Sequence, residues 1–244
     1  MRAINQFIFS DAVRDFWRIR ERQAYAQRMR GQSDQGSRSA VTGGRQMDGF
    51  SRKIAELLSD AGIRETNIFQ KKTVELPGFY RPTKEWDIVV VVDGVLLAAI
   101  ELKSQIGPSF GNNFNNRTEE ALGSAVDIWT AYRDGAFRSS PAPWLGYLLL
   151  LEDCPQSRRP VSVVEPHFNV FPEFKGASYA VRYELFCRKL VRERQYSAAC
   201  FITASKEQSD SVGNYSEPAD DLSAVRFLSQ LRSHAKVFSV STRE

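Results

Sequence analysis

The chain contains few cysteines and no long hydrophobic run, and each scarcity excludes a class of protein. Its three cysteines, Cys154, Cys187 and Cys200, are spaced neither like a metal site nor like a redox motif. Such a sparse, odd set without a secretory signal is typical of a reducing compartment, and we expect a cytoplasmic protein. No apolar stretch reaches the ~20 residues that a membrane-spanning helix needs, so no membrane partner is expected.

Histidine is also scarce, which argues against several kinds of hydrolase. The chain has two histidines, His167 and His234, and neither has a partner pattern, so we interpret both as structural. The sequence contains no Ser-His-Asp arrangement, zinc-ligand spacing or glycine-rich phosphate loop. It therefore does not favour a serine hydrolase, a zinc enzyme or an NTPase.

Lysine is absent from the first 50 residues, which contain nine arginines and five acidic residues. The whole chain carries a formal net charge of +4. The planar fork of arginine suits phosphates and guanine edges better than the point charge of lysine does. This composition permits a polyanionic partner such as double-stranded DNA, although a solvated basic helix would look the same.

The order of predicted elements indicates an α/β fold with a mixed β-sheet flanked by helices, in one domain covering residues 1–244. A helix at 4–30 precedes a glycine-rich loop at 31–46, which is either simply disordered or a mobile loop that contacts DNA. The helix at 117–132 is expected to be capped by Asn116 together with Glu119. The other predictions are helices at 48–61, 177–194 and 220–233, a loop at 107–116, a hairpin at 86–102, and strands ending at Pro77 and at 144–153, 198–204 and 237–240.

The strongest local pattern is the hairpin EWDIVVVVDGVLLAAIELK, in which two apolar runs flank Asp93-Gly94. Asp87 opens the first strand, and Glu101 and Lys103 end the second on one face, because strand side chains alternate. A tight two-residue loop would place Asp87 on the opposite face. Convergence of the three charged residues therefore requires a three-residue loop at 92–94 or a β-bulge.

Charges at the ends of such apolar strands need compensation, because a bare buried charge is costly. Two carboxylates and an ammonium compensate one another best around a divalent cation, and oxygen ligands suit Mg²⁺. We therefore predict Asp87 and Glu101 as metal ligands and Lys103 as the group that orients or helps deprotonate an attacking water. The competing interpretation is an ordinary surface salt bridge, either Glu101 to Lys103 or Asp87 to Lys84.

The hairpin resembles the catalytic core of the PD-(D/E)xK nucleases, with Trp86 where proline often stands. The longer stretch from KEWDIVVVV through ELKSQIGPSFGNNFNNRTEEALGSAVDIWTAYRDG, together with GGRQMDGF nearer the start, resembles the XhoI family of type II restriction endonucleases. The resemblance implies a restriction-endonuclease-like core in which Asp87, Glu101 and Lys103 are the catalytic residues and the first two bind Mg²⁺.

The same resemblance implies cleavage of both strands of the palindrome CTCGAG with short 5′ overhangs. It implies a homodimer, and a restriction-modification system whose methyltransferase acts on the same sequence without having to bind this chain. Two alternatives remain open on physical grounds. One is a repair or recombination nuclease of the same fold, and the other is a DNA-binding protein whose site is silent.

Several further residues are weaker candidates for the same site. Glu56 and Glu85 are possible auxiliary carboxylates, although each also fits a solvated surface acid. The amide and guanidinium groups of the loop GNNFNNR can read base edges or contact phosphates, but asparagine is also an ordinary loop residue. The candidate DNA contacts are Asn112, Asn113, Asn115, Asn116, Arg117, Arg45 and Gln105.

Overall fold

The computed structural model of the chain describes residues 7–29, 45–209 and 212–241. Its main helices are α1 (Ser10–Met29), α2 (Asp48–Asp60), α3 (Phe110–Arg133), α4 (Tyr179–Arg192) and α5 (Ala224–Ser241). Its strands are β1 (Ile68–Gln70), β2 (Glu75–Pro77), β3 (Thr83–Glu85), β4 (Ile88–Val92), β5 (Val95–Gln105), β6 (Trp144–Glu152) and β7 (Ala198–Ala204). Short helical turns lie at Arg45–Met47, Glu65–Asn67, Pro155–Arg158, Pro172–Phe174, Lys206–Ser209 and Asp220–Leu222.

Five strands form a mixed sheet in the order β1-β4-β5-β6-β7. The first three are joined antiparallel, whereas β5, β6 and β7 run parallel. The apolar run of β6 is buried on both faces, as predicted for a central strand. Strands β2 and β3 form a separate antiparallel pair beside the start of β4.

Helices cover both faces of the large sheet. Helices α1, α2 and α5 pack on one face, where Phe16, Ile54 and Leu228 are fully buried. Helices α3 and α4 pack on the other face, where Ala125 and Tyr183 are buried. The predicted α/β class with a flanked mixed sheet is thus confirmed. In the described ranges, no helix has the length and apolar character needed to cross a membrane.

The hairpin between β4 and β5 has a tight turn and an irregular register. Val92 pairs with Val95, and both Asp93 and Gly94 have positive φ, which is typical of a two-residue turn. The predicted three-residue loop is therefore wrong. The alternative prediction, a β-bulge, is confirmed, because Val90 pairs with Ala98 while Val91 pairs with Leu96, so Leu97 is an extra residue.

The bulge changes which side chains of β5 face which helices. Leu97 and Ala98 both pack on the α1 side of the sheet, so the alternation is interrupted between them. Beyond the bulge, Ala99 pairs with Val89 and both face α3 and α4. Glu101 and Lys103 follow Ala99 at intervals of two residues and share its face.

The loop predicted at residues 107–116 is wrong in its second half, because α3 begins at Phe110 and not at Arg117. Asn116 is therefore inside the helix rather than its cap. The early start is explained by packing: the Phe110 ring stacks on Tyr179 with centroids 5.8 Å apart. One turn later, Phe114 meets Tyr183 edge-on at 5.0 Å, and these contacts override the weak helix propensity of the asparagines.

The strand predicted at 237–240 is also wrong, since these residues continue helix α5. Buried Leu228, Leu231 and Ala235 repeat at helical spacing, and Phe238 packs against the same core. The described part of α1 begins at Ser10, later than predicted. Of the segment predicted as a mobile DNA-contacting loop, residues 31–44 lie outside the described part of the chain.

The turn between β2 and β3 is fastened to α3 by Asp127. Its carboxylate accepts hydrogen bonds from the backbone N–H groups of Phe79 (2.7 Å) and Tyr80 (2.8 Å) and from Arg81 Nε (2.7 Å). A Cβ atom at Gly78 would lie 2.3 Å from Asp127 Oδ2, so this close approach requires glycine. The anchored turn fixes the path of β3 toward the start of β4.

Candidate active site

Asp87, Glu101 and Lys103 line one cavity of about 480 Å³ at the end of the hairpin. Asp87 immediately precedes β4, and its backbone N–H donates to the Ile100 carbonyl (3.2 Å). Glu101 and Lys103 lie on β5 beyond the bulge. The structure therefore brings the three predicted charged residues together. The bulge makes this possible, because its extra residue shifts the alternation of faces along β5 by one.

Glu101 is a buried carboxylate with an ammonium group on each oxygen. Its side chain is 5% exposed, Lys103 Nζ contacts Oε1, and Lys84 Nζ lies 2.5 Å from Oε2. Burial alone would raise the pKa of the Glu101 carboxyl, but the two lysines hold this pKa below its ordinary value. Both lysines thus favour the ionised form of Glu101.

Asp87 has a different environment from Glu101. Its Oδ2 accepts a 2.7 Å hydrogen bond from the backbone N–H of Leu102. Burial, reinforced by the negative charge of Glu101, raises the pKa of Asp87 to about 6. Asp87 is therefore a carboxylate for which an additional positive charge would be favourable.

Lys103 lies at this cavity within a series of charged side chains that runs from Glu101 to Arg117. Burial alone would lower the pKa of the Lys103 ammonium, but Glu101 and Asp87 raise it above the ordinary value. Its Nζ is 3.9 Å from Glu120 of α3, which in turn binds Arg117 at 2.7 Å. Lys103 is thereby held as an ammonium, 23% exposed, at the cavity wall.

Mg²⁺ fits the donor set formed by Asp87 and Glu101. No group of three or more His, Cys, Asp or Glu side chains suited to an ion occurs in the described ranges. However, Mg²⁺ usually keeps several waters and takes only one or two protein carboxylates. Two neighbouring carboxylates, the buried Glu101 and the half-buried Asp87 with its raised pKa, meet that requirement beside a cavity large enough for water.

Lys84, predicted only as a possible partner of Asp87, contacts Glu101 beside the cavity. It lies on β3 and bonds Glu101 instead, with 13% of its side chain exposed. No local sequence signal reveals this contact, because Lys84 and Glu101 belong to strands of different sheets. The rest of the cavity wall comes from the residues around α2 and β2: Arg45, Met47, Asp48, Ser51, Lys71 and Val74, together with Glu85, Trp86 and Leu102.

Two of the weaker candidates do not lie where they were predicted. Glu56 is on α2, pairs with Lys53 (3.1 Å) and lines a different cavity, so the structure does not bring it beside Asp87 and Glu101. Gln105 continues the face of Lys103, but α4 covers it, leaving 2% exposed. Its amide donates to the Ile106 carbonyl and accepts a hydrogen bond from Tyr183, so the structure places Gln105 in the core.

The other candidates remain on accessible surfaces. Glu85 and Arg45 are exposed at the wall of the same cavity. Asn112, Asn115 and Asn116 are exposed on the first turns of α3, while Asn113 is half-buried. Arg117 is 21% exposed and paired with Glu120, so its guanidinium points toward the Lys103 side of the helix.

Residues 26–217 match the family described as restriction endonuclease XhoI. The chain is 58% identical over 206 residues to the type II restriction enzyme BstVI of Geobacillus stearothermophilus, covering 82% of this chain and 92% of that protein.

Two further relatives are matched over shorter stretches. The chain is 52% identical to the type II restriction enzyme XhoI of Xanthomonas vasicola, over 65% of each chain. It is 48% identical to the type II restriction enzyme AbrI of Azospirillum brasilense, over 65% of this chain and 71% of that protein. No solved structure matches the sequence.

Proposed function

The chain belongs to the XhoI restriction endonuclease family, and on that premise we propose that it is a Mg²⁺-dependent type II restriction endonuclease. Its substrate would be double-stranded DNA containing the palindrome CTCGAG, cut on both strands to leave 5′ overhangs. The proposed sequence rests on the resemblance to the XhoI family. The proposed chemistry rests on the site itself.

One observation carries the chemistry: Asp87, Glu101 and Lys103 line a single cavity at the end of the bulged hairpin. Without the bulge, the carboxylate on β5 and the one before β4 would lie on opposite faces of the sheet. The two acids and the lysine are the groups that metal-assisted phosphodiester hydrolysis uses. Their convergence supports a PD-(D/E)xK type of site.

The roles of the residues follow from their surroundings. Asp87 and Glu101 would hold Mg²⁺, and the chemistry that Mg²⁺ supplies when bound is charge stabilisation on the scissile phosphate and a more acidic water. Lys103, held as an ammonium by Glu101, can donate hydrogen bonds to the attacking water or to a phosphate oxygen. The Leu102 N–H keeps the Asp87 carboxylate directed at the cavity edge.

Contacts with DNA would come from the exposed surface around this cavity. Arg45 lies at the cavity wall, whereas Asn112, Asn115 and Asn116 lie at the start of α3. A palindromic site is naturally matched by a two-fold protein, so we propose a homodimer that presents one cavity to each strand. The cognate methyltransferase would modify the same sequence without needing to bind this chain.

The test is cleavage of a plasmid that contains one CTCGAG site, with the purified full chain and Mg²⁺. A matched plasmid in which this site reads CTCGTG is the control, and EDTA replaces Mg²⁺ in a parallel reaction. The proposal expects one linear product with TCGA overhangs from the first plasmid, and none from the control or with EDTA. Cutting of both plasmids alike, or binding without cutting, would instead support a structure-specific nuclease or a silent DNA-binding protein.

A further inference from the structure

Each carboxylate oxygen of Glu101 is paired with the ammonium group of a lysine. Lys103 Nζ contacts Oε1 and Lys84 Nζ donates to Oε2 at 2.5 Å, and the carboxylate is 5% exposed. Such a buried charge is stable only when it is compensated at close range. Without a bound cation, the two carboxylates Asp87 and Glu101 are balanced by two ammonium groups.

A divalent cation that binds Glu101 would share a carboxylate oxygen with an ammonium group or take its place, and in either case the positive charges repel one another. The two lysines differ in how easily they can move. Lys103 lies on the same strand as Glu101, two residues along, and contacts Glu120 as well. Lys84 comes from the separate β2–β3 sheet and reaches Glu101 across a gap between strands.

Lys84 also has other partners that it keeps if Glu101 is given up. Its Nζ donates to the Glu85 carbonyl at 2.8 Å and lies 4.4 Å from the centre of the Trp86 ring. Both the carbonyl and the aromatic face stabilise an ammonium group. Lys84 can therefore release Glu101 and still have a hydrogen-bond acceptor and an aromatic face as partners.

We propose that Lys84 is a positioning residue that holds Glu101 while no cation is bound and competes with the divalent cation for Glu101 Oε2. This inference rests on the proposed function, because it takes Glu101 to be a cation ligand. It assigns to Lys84 a role in setting how tightly the site binds its metal. The competition is purely electrostatic, so a neutral side chain of similar length should remove it.

The experiment measures binding of Mn²⁺ alone, without DNA, to the full chain by titration calorimetry. Lys84→Met removes the charge and keeps an unbranched stem to pack on Trp86, whereas Lys84→Arg keeps the charge. Lys71→Met is the matched control, because Lys71 lines the same cavity but pairs with Asp48. Asp87→Ala, which should abolish Mn²⁺ binding, verifies that the titration reports on this site.

We expect Lys84→Met to bind Mn²⁺ about tenfold more tightly than the unchanged chain, as one competing charge at contact distance is lost. Lys84→Arg and Lys71→Met should change the affinity by much less. A purely structural role for Lys84 predicts weaker binding, not tighter, so unchanged or weaker binding by Lys84→Met overturns the proposal. An equal gain in Lys71→Met also overturns it, since the effect would then be one of overall charge.

Absence of Mn²⁺ binding to the unchanged chain would overturn the role of Lys84 as well. That outcome is distinguishable from failure of the proposed function, because plasmid cleavage is measured independently. The unchanged chain could cut CTCGAG with Mg²⁺ while Lys84→Met shows no gain in Mn²⁺ affinity. The endonuclease assignment would then stand, and only the proposed role of Lys84 would be wrong.

Discussion

The carboxylate of Asp87 and the backbone N–H of Leu102 are joined by a 2.7 Å hydrogen bond. Leu102 stands between Glu101 and Lys103, so this bond ties the start of one hairpin strand to the end of the other. It fixes the orientation of Asp87 without neutralising it, because an amide N–H carries no net charge. The geometry of Asp87 and its charge can therefore be separated by mutation.

Asp87→Asn should retain this hydrogen bond, since an amide oxygen also accepts, while removing the charge. We expect cleavage to fall by roughly 100- to 1,000-fold, the range seen when one electrostatic group is removed from a catalytic site. DNA binding measured with Ca²⁺ in place of Mg²⁺ should change little. The measurement is single-turnover cleavage of a CTCGAG duplex alongside a filter-binding assay.

Glu85→Gln is the matched control for that variant. Glu85 lines the same cavity but is exposed and precedes the hairpin by three residues. Its loss should alter cleavage by less than about threefold, because an exposed charge in water is strongly screened. Equal losses in Glu85→Gln and Asp87→Asn would mean that the cavity responds to total charge and that Asp87 has no particular role.

Lys103→Ala should also abolish most cleavage, because it removes the ammonium group beside Glu101. The comparison is Lys53→Ala, which breaks the exposed Lys53–Glu56 pair on α2. Exposed pairs contribute at most about 1 kcal/mol, so this control should cut normally and unfold at a similar temperature. Undiminished cleavage by Lys103→Ala would contradict the assignment of this lysine.

Arg45→Ala tests whether the exposed arginine at the cavity wall contacts a phosphate. We expect weaker DNA binding in Ca²⁺ and a salt-dependence slope reduced by about one unit, as one phosphate contact is lost. Arg133→Ala, at the distant end of α3, removes the same charge from an exposed position and should leave the slope unchanged. Identical slopes for the two variants would remove Arg45 from the interface.

Asp127→Asn addresses stability, because Asp127 anchors the β2–β3 turn through three hydrogen bonds. An asparagine cannot present two accepting oxygens to these donors. We expect a loss of about 2–3 kcal/mol in the free energy of unfolding, in line with charge-assisted hydrogen bonds. Asp134→Asn, exposed at the end of the same helix, is the control and should unfold like the parent chain in urea.

The loss of stability in Asp127→Asn should depend on pH in a direction that follows from the pKa of Asp127. Although burial would raise the pKa of Asp127, the hydrogen bonds from Tyr80, Arg81 and Phe79 hold it below the ordinary value of 3.8. An acid with a lowered pKa in the folded state stabilises the fold above its unfolded pKa and loses this effect as pH falls through the folded pKa. The stability gap between Asp127→Asn and the parent should therefore be constant above about pH 5 and shrink below 3.8.

Much of the sheet and its charged end could be predicted because short-range patterns determine them. The Asp93-Gly94 turn, the buried run of β6 and the strand at 198–204 each follow from local composition. The position of the extra residue could not be predicted, since Leu97 is chemically like its neighbours and only pairing reveals the bulge. The sequence therefore predicts that the alternation of faces must shift by one residue, but it does not indicate where in the hairpin the extra residue lies.

The errors concern elements in which distant packing outweighs local propensity. Residues 110–116 are helical because two phenylalanines dock on tyrosines of α4, almost 70 residues away. Gln105 shares the face of Lys103, as expected, but α4 buries it. The pairing of Lys84 with Glu101 likewise joins residues 17 positions apart, on strands of different sheets, which no local pattern indicates.

The bulge at Leu97 makes the number of residues in the hairpin decide whether Asp87 and Glu101 meet. Thirteen residues separate Asp87 from Glu101, and the charged groups meet only because that number combines a tight turn with one extra residue. Replacing one aliphatic residue of the hairpin by another leaves this count intact. A single insertion or deletion there would turn one carboxylate away from the other, so this segment should tolerate substitutions far better than changes in length.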